Sequence, residues 1–257
     1  MTDNIKYFHL EQTDSTNLEV VRQVSALTDT ERLQHDCYVA RADYQSAGRG
    51  QRGNRWESEG GKNLLFSVMI HPQEVVVSEQ FRLSQAMSIA ICRTLNSISD
   101  SFKIKWPNDI YCGEQKVSGT VIETTIRGHM VERCILGVGV NVNQTTFRSD
   151  APNPVSLCQL LDRQFDCDVI LREIMGRFCQ LARSVYIGGG DEVGREFVDM
   201  LIWRDGLHHY RDAQGDFYAR LVDVEADGHL MLEDSHGLVR RYMFKEVKHI
   251  FSTVECV

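Results

Sequence analysis

The apolar positions along the chain change period several times, and each change marks an element. Leu18, Val20, Val21, Val24 and Leu27 follow Asp14-Ser15-Thr16-Asn17, and Thr16 with Glu19 fits a capping box, so a helix is expected to begin at about Thr16. Tyr38-Val39-Ala40 and the nearly unbroken apolar run from Leu64 to Ile70 predict strands, the second buried on both faces. Between them Gln45 to Lys62 is polar and rich in Gly and Arg, a long loop of the kind that is functional or disordered in compact domains. Ser78 to Ser97 repeats Leu83, Met87, Ala90, Ile91 and Leu95 on one helical face. Ile104 to Trp106, Val117 to Ile122 and Met130 to Val142 read as consecutive strands, with turns at Pro107-Asn108-Asp109, Cys112-Gly113-Glu114 and Arg127-Gly128. In the last of these Val138, Val140 and Val142 face one way and Gly137, Gly139, Asn141 and Asn143 the other, which makes the glycine face a candidate binding floor. A second strong helix is predicted from about Val169 to Tyr186, stopped by Gly188-Gly189-Gly190-Asp191. Beyond Trp203 short alternating segments are separated by turns at Gly215, Asp227-Gly228 and Gly237, the rhythm of a small antiparallel barrel, and a domain boundary is placed near Ile202.

Composition narrows the class without naming it. The 257 residues are 42% hydrophobic and 25% charged, values of a globular chain, and no run approaches the ~18 apolar residues of a membrane span. The first residues carry no apolar signal core, so a cytoplasmic protein is expected. The net charge of −8 argues against nucleic acid phosphate as the main partner. That total is uneven, since Arg41 to Lys62 carries +2 and the rest of the chain −10. The eight cysteines form no Cys-x-x-Cys pair and read as reduced core thiols, and His208-His209 has no cysteine partner for zinc.

Gly48-Arg49-Gly50-Gln51-Arg52-Gly53 has the letters of a dinucleotide fingerprint but not its context, because Asn54 to Gly61 has no helical apolar repeat and ends in two glycines. No kinase signature follows, and the Gly-Lys-Ser/Thr of a Walker loop is absent. What remains is a loop whose glycines expose backbone N–H groups and whose Arg49, Arg52 and Arg55 suit a phosphate or carboxylate, with Trp56 as a lid. On composition alone a solvated surface loop is an equal reading. Lys105-Trp106-Pro107-Asn108-Asp109 sets an amide and a carboxylate on a sharp turn, which taken singly reads first as a plain Asx turn. Lys116-Val117-Ser118-Gly119 follows it, and its lysine taken singly reads as solvated surface.

Taken together and in order, these segments resemble the biotin protein ligases: the Gly-Arg-Gly-rich loop from Gln45 to Gly53, Lys105 to Asp109, Lys116 to Gly119, the glycine strand Gly137 to Asn143, and the early Ser15-Thr16-Asn17. The resemblance covers nearly the whole chain. It implies an α+β fold, a mixed sheet flanked by helices of the biotin/lipoate ligase kind (class II aminoacyl-tRNA synthetase-like), over residues 1–202, with a small C-terminal SH3-like β-barrel over 203–257. It implies an enzyme that joins biotin to ATP as biotinyl-5′-AMP, with Mg²⁺ accompanying the triphosphate, and passes biotin to a lysine of a biotin carboxyl carrier domain. No covalent enzyme intermediate is needed, so positioning and electrostatics carry the chemistry.

By position the resemblance makes Lys116, Arg49 and Asp109 the catalytic residues, Lys116 first, with Asp109 assisting the acceptor lysine. Ser15, Thr16, Asn17, Gln45, Arg49, Gly50, Gln51, Lys116, Gly119, Gly137 and Gly139 would hold biotin. Arg49, Arg52, Arg55, Trp56, Asn108, Lys116 and Asn141 would hold ATP, and no metal ligand is assigned. Many members of the family carry Arg where this chain has Gln51, and often another where Asn54 stands. No DNA or membrane partner is expected: Ser15 lies too near Met1 for a helix-turn-helix before it, which counts against a biotin-responsive repressor. A lipoate protein ligase shares the fold and the acyl-adenylate logic but would not be expected to combine both motifs. The oligomeric state, a homodimer included, stays open.

Overall fold

The structure is a computed structural model that describes residues 4–50, 55–72, 74–148 and 153–251. In chain order it runs β1 (Ile5–Thr13), α1 (Thr16–Ser25), α2 (Asp29–Arg32), β2 (Cys37–Gln45), β3 (Leu64–Ile70), α3 (Phe81–Asn96), β4 (Phe102–Lys105), β5 (Asp109–Cys112), β6 (Gln115–Arg127) and β7 (Met130–Val140). The helices α4 (Leu157–Leu161), α5 (Cys167–Tyr186) and α6 (Gly190–Asp199) follow, and then the strands β8 (His208–Asp212), β9 (Gly215–Val224), β10 (Leu230–Asp234), β11 (Val239–Tyr242) and β12 (Lys248–His249).

Seven strands make one sheet in the order β1-β2-β3-β7-β6-β5-β4. Only the edge pair β1–β2 is parallel, so the sheet is mixed, as expected. The two-residue alternation of β3 and β7 gives each sheet face its own cover. One face sends Phe66, Val68, Leu136, Val138 and Val140 into a large core with Leu83, Met87, Ile91, Ile174 and Phe178 of α3 and α5. On the other, Tyr38, Ala40, Met69 and Ile135 meet Val20 and Val24 of α1. Helix α1 covers only part of that second face. The rest of it, where β3, β6 and β7 carry Ser67, Gly119, Gly137 and Gly139 in neighbouring positions, is met by Trp56 and bordered by Arg49, Gly50 and Arg55.

The first helix starts where expected, but not by the expected cap. Ser15 is its N-cap, without a side-chain hydrogen bond, and the Thr16 hydroxyl is turned to Ser67 and Gln45 instead. Five elements escape the sequence pattern: β1, α2, β5, α4 and α6. The stop at Gly188 is real, with its φ of +89°, but Gly190 already begins α6.

The C-terminal strands form a second, antiparallel sheet in the order β11-β10-β9-β8-β12, the architecture expected of a small SH3-like unit. Its turns place Gly215, Gly228 and Gly237 at positive φ, as the turn chemistry requires. Its apolar side, Tyr210, Ala219, Leu221, Leu230 and Leu232, is continuous with the main core. The seven cysteines among the described residues are free thiols, and burial pushes Cys134 and Cys92 up to about 12, out of reach of thiolate chemistry. Cys256 lies outside the described residues. No helix among the described residues is long and apolar enough to cross a membrane.

Candidate active site

A cavity of about 530 Å³ opens on the glycine face of the large sheet. Its lining brings together Ser15, Thr16, Asn17, Gln45, Arg49, Gly50, Arg55, Trp56, Asp109, Lys116, Gly119, Gly137, Gly139 and Asn141, every described residue assigned to biotin, ATP or catalysis except Asn108, while Asn143 of the glycine face bonds to Phe165 instead. These positions span five separate chain segments, so their convergence is a property of the fold and not of local sequence. Asn108 lies beneath the wall, where its buried amide donates to the Thr120 carbonyl at 2.8 Å. There it ties the turn before β5 to β6 and is not exposed to the cavity. Gln51 and Arg52, with Gly53 and Asn54, lie outside the described residues.

One end of the cavity is neutral and dense in hydrogen bonds. Gln45 Oε1 accepts from the Thr16 backbone N–H at 2.7 Å, capping the open start of α1 from the end of β2. The Ser67 hydroxyl lies 2.7 Å from Thr16 Oγ1 and 2.5 Å from Asn17 Oδ1, and Asn17 Nδ2 donates to Glu123 Oε1 at 2.8 Å. Glycine at 137 is dictated by this packing: a Cβ there would stand 2.2 Å from Asn17 Oδ1.

The other end is charged. Lys116 Nζ and Asp109 Oδ2 pair at 2.7 Å, both half-buried, because β5 and β6 set Asp109 directly opposite Gly119. The ammonium also lies 5.8 Å from the centre of the Trp56 ring. Asn141 is buried, donating to the Val155 carbonyl at 3.3 Å, and its backbone N–H reaches the Val117 carbonyl. Beside this end Lys105 is held between the rings of Tyr111 and Phe251, at 5.3 and 5.9 Å, and burial lowers its tendency to hold a proton.

Trp56 departs from the expected lid over an adenine. Its backbone N–H bonds to the Gly48 carbonyl, Arg49 and Arg55 pair as an isolated bridge, and the indole lies flat on the floor. A Cβ at Gly139 would stand 2.3 Å from its Cε2, and one at Gly119 would stand 3.1 Å from its Cζ3. In this conformation the room left by Gly137 and Gly139 is taken by Asn17 and Trp56. The indole N–H is buried without a hydrogen-bond partner, so packing and the nearby Lys116 ammonium hold the ring there.

The donor set does not fit a protein-held magnesium ion. Among the described lining residues the carboxylates are Asp109, paired with Lys116, and Glu57, which accepts the Arg148 backbone N–H with both oxygens.

Residues 10–141, which contain all the motifs above except the last two residues of the glycine strand, match the sequence model of the biotin/lipoate A/B protein ligase family. The chain belongs to that family. Among curated relatives, the bifunctional ligase/repressor BirA of Bacillus subtilis is 25% identical over 207 residues, 78% of this chain and 63% of that protein. The biotin–[acetyl-CoA-carboxylase] ligase of Mycobacterium tuberculosis is 29% identical over 180 residues, 66% of this chain and 62% of that protein. The chain thus spans somewhat under two thirds of the length of these relatives. Among solved structures, the Aquifex aeolicus biotin protein ligase in complex with biotin and ATP superposes with a TM-score of 0.75 over 95% of this chain and 99% of that one, at 21% identity. That likeness establishes the shared fold, C-terminal sheet included.

Within this family member, several lining residues have no counterpart among the positions that the sequence singles out: Glu57, Thr120, Val121, Val138, Phe147, Pro154 and Phe244. Val121 was findable, two residues from Gly119 on the same strand face. So was Ser67, below the floor, as the one polar residue in a run buried throughout. Phe147, Pro154 and Phe244 carry no local signal, since only long-range packing brings them to the wall.

Proposed function

We propose that this chain is an ATP-dependent biotin–protein ligase that activates biotin as biotinyl-5′-AMP and transfers it to the ε-amino group of a lysine on a biotin carboxyl carrier domain. The observation that carries this reading is the polarity of one cavity: a neutral, hydrogen-bonding end at Thr16, Asn17 and Gln45, a cationic end at Lys116, and a glycine floor between them. A cyclic urea needs acceptors for its N–H groups and donors for its carbonyl, which the neutral end offers. The names of the relatives support the same substrate.

In the first step a biotin carboxylate oxygen attacks the α-phosphorus of ATP and pyrophosphate leaves with the electron pair of the broken P–O bond. Negative charge accumulates where carboxylate meets phosphate, and Lys116 and Arg49 are the cations assigned to it. Asp109 holds the Lys116 ammonium in place. In the second step the neutral amine of the acceptor lysine attacks the acyl carbon, an amide forms and AMP departs. The amine proton goes to solvent or to the Asp109 carboxylate, which lies at that end of the cavity. Arg49 and Arg55 beside Trp56 serve the nucleotide, and the indole must leave Gly139 for an acyl chain to lie there. Any magnesium arrives as the nucleotide's own chelate, and no step is assigned to it. Residues 1–202 are proposed as the catalytic domain and 203–257 as a second domain that supplies Phe244 to the wall.

The test is biotin-dependent ATP–pyrophosphate exchange, followed by transfer to a carrier domain. The wild-type chain should exchange with biotin and not with lipoate, and Lys116→Ala should lose at least about a hundredfold in rate, the loss of one preorganised charge at the reacting centre. Exchange with lipoate alone, or full activity in Lys116→Ala, would reject the reading.

A further inference from the structure

Trp56 rests on floor that an acyl chain would use. Its Cε2 would stand 2.3 Å from a Cβ at Gly139 and its Cζ3 3.1 Å from one at Gly119, so the ring lies against β6 and β7 where they pair these two glycines. The same Cβ at Gly119 would stand 3.1 Å from Asp109 Oδ1 and 3.2 Å from Lys116 Nζ. Ring edge, carboxylate and ammonium thus converge on one glycine. The neutral end is left alone, since the atoms nearest a Cβ at Gly137 are those of Asn17. The indole therefore fills the stretch of floor between the hydrogen-bonding end and Lys116.

The backbone beneath the ring is fixed. The Trp56 N–H bonds to the Gly48 carbonyl at 3.1 Å, Arg49 and Arg55 bridge, and a Cβ at Gly48 would stand 2.8 Å from the Trp56 carbonyl oxygen. The ring can leave by turning about its own side-chain bonds while this stem stays in place. Burial of the apolar ring and the Lys116 ammonium, 5.8 Å from its centre, favour the floor. The buried Nε1–H without a hydrogen-bond partner opposes it, because water would satisfy that donor. These opposed effects leave a balance small enough for a ligand to shift.

We infer that the Trp56 indole is an internal competitor for the acyl-chain track, which makes Trp56 a specificity-determining residue: only a ligand whose chain displaces the ring from Gly119 and Gly139 clears the way to Lys116. The inference rests on the biotin reading above and deepens it. A ligand that reaches only Thr16, Asn17 and Gln45 leaves the ring where it is. Displacement weakens binding, because the apparent dissociation constant is the intrinsic one divided by the fraction of molecules whose track is clear. With the ring on the floor in about nine molecules of ten, biotin binds about tenfold more weakly than to a clear track.

The test measures binding by calorimetry without nucleotide, for wild type and Trp56→Ala. The ligands are biotin and its bicyclic ureido head with a methyl group in place of the chain. Trp56→Ala should bind biotin about tenfold more tightly, and the truncated head within about twofold of wild type. Tryptophan emission follows the same event in the unaltered protein. Biotin should move it to the red and raise its quenching by acrylamide, the truncated head should do neither, and Trp56→Ala, which keeps Trp106 and Trp203, should show no shift. Gly139→Ala, whose methyl group would take the place of the ring, should give the red-shifted emission with no ligand at all. Thermal melting verifies that the variants fold. Unchanged or weaker biotin binding by a folded Trp56→Ala, equal tightening for biotin and the truncated head, or a wild-type emission unmoved by bound biotin would sink the inference, while pyrophosphate exchange with biotin would leave the biotin reading standing. A wild type that neither binds biotin nor exchanges with it would overturn both.

Discussion

Adding one methyl group at Gly137 should damage the neutral end of the site far more than its size suggests. An alanine Cβ would stand 2.2 Å from Asn17 Oδ1 and 3.0 Å from its Cγ, where ordinary contact needs about 3.4 Å or more. The carboxamide must therefore retreat by about 1 Å, since β7 is clamped between β3 and β6 and cannot yield. That movement stretches the 2.5 Å bond from Ser67 and the 2.8 Å bond to Glu123 beyond useful range. Two hydrogen bonds are lost, one of about 1 kcal/mol and one to a charged carboxylate of about 1.5–3 kcal/mol, while Ser67 keeps Thr16 Oγ1 as an acceptor at 2.7 Å. The total, about 2–4 kcal/mol, should lower the melting temperature by roughly 5–10 °C for a chain of this size. It should also raise KM for biotin by about 30-fold or more, if most of that energy bears on ligand binding. Thermal melts and pyrophosphate exchange at varied biotin read the two effects separately. A Gly137→Ala protein that melts within 2 °C of wild type and keeps KM within threefold would refute the account of Asn17 as a clamped group.

Gly176 gives the opposite expectation. It lies inside α5 with nothing within 4 Å of the place a methyl group would take, so Gly176→Ala should stabilise by about 0.5–1 kcal/mol in urea unfolding, and a loss of stability would contradict the open space. His249 should make the fold sensitive to acid. Burial, aided by the charge of Lys105, holds its pKa down to about 3, whereas the unfolded chain takes up that proton near 6.5. Its contribution is therefore complete above about pH 6.5 and drains away as pH falls toward 3. Between pH 7 and 4.5 the wild type should lose about 2 kcal/mol more than His249→Gln, and parallel urea midpoints for the two proteins would refute the assignment.

The parts of this molecule that were legible in sequence are those in which one strand face or helix stripe is fully committed. β3 is buried at all seven positions and its limits coincide with the apolar run to the residue, and α5 begins within two residues of its expected start. β1 was invisible because it is an edge strand with both faces partly wet, so its apolar positions do not alternate cleanly. α6 was invisible because it begins on the glycine that seemed to end its predecessor, and it buries only Val193, Gly194, Phe197 and Val198. The glycine floor was legible as a place of close approach. What approaches it was not: Asn17 and Trp56 reach Gly137 and Gly139 from segments more than 80 residues earlier, and only the tertiary fold specifies that meeting.

Trp106 shows how a motif can be recognised for its chemistry and yet act through structure. The tryptophan of Lys105-Trp106-Pro107-Asn108-Asp109 is buried away from the cavity, and its Nε1 donates to the Gly228 carbonyl at 3.0 Å. Gly228 sits at a φ of +97° against the Phe81 ring, in the turn between β9 and β10, so the indole bolts the second sheet to the first at a point where a larger residue has no room. The same indole meets Phe244 edge-on at 6.0 Å, and Phe244 is a wall of the cavity. Asn108, two residues on, fixes the turn to β6, and Asp109 comes out facing Lys116. Within this five-residue motif one side chain thus delivers charge to the site, while Trp106 and Asn108 hold that charge in register and the C-terminal sheet against the opening. The C-terminal sheet is therefore a component of the cavity itself, and its position there depends on the motif that supplies the carboxylate.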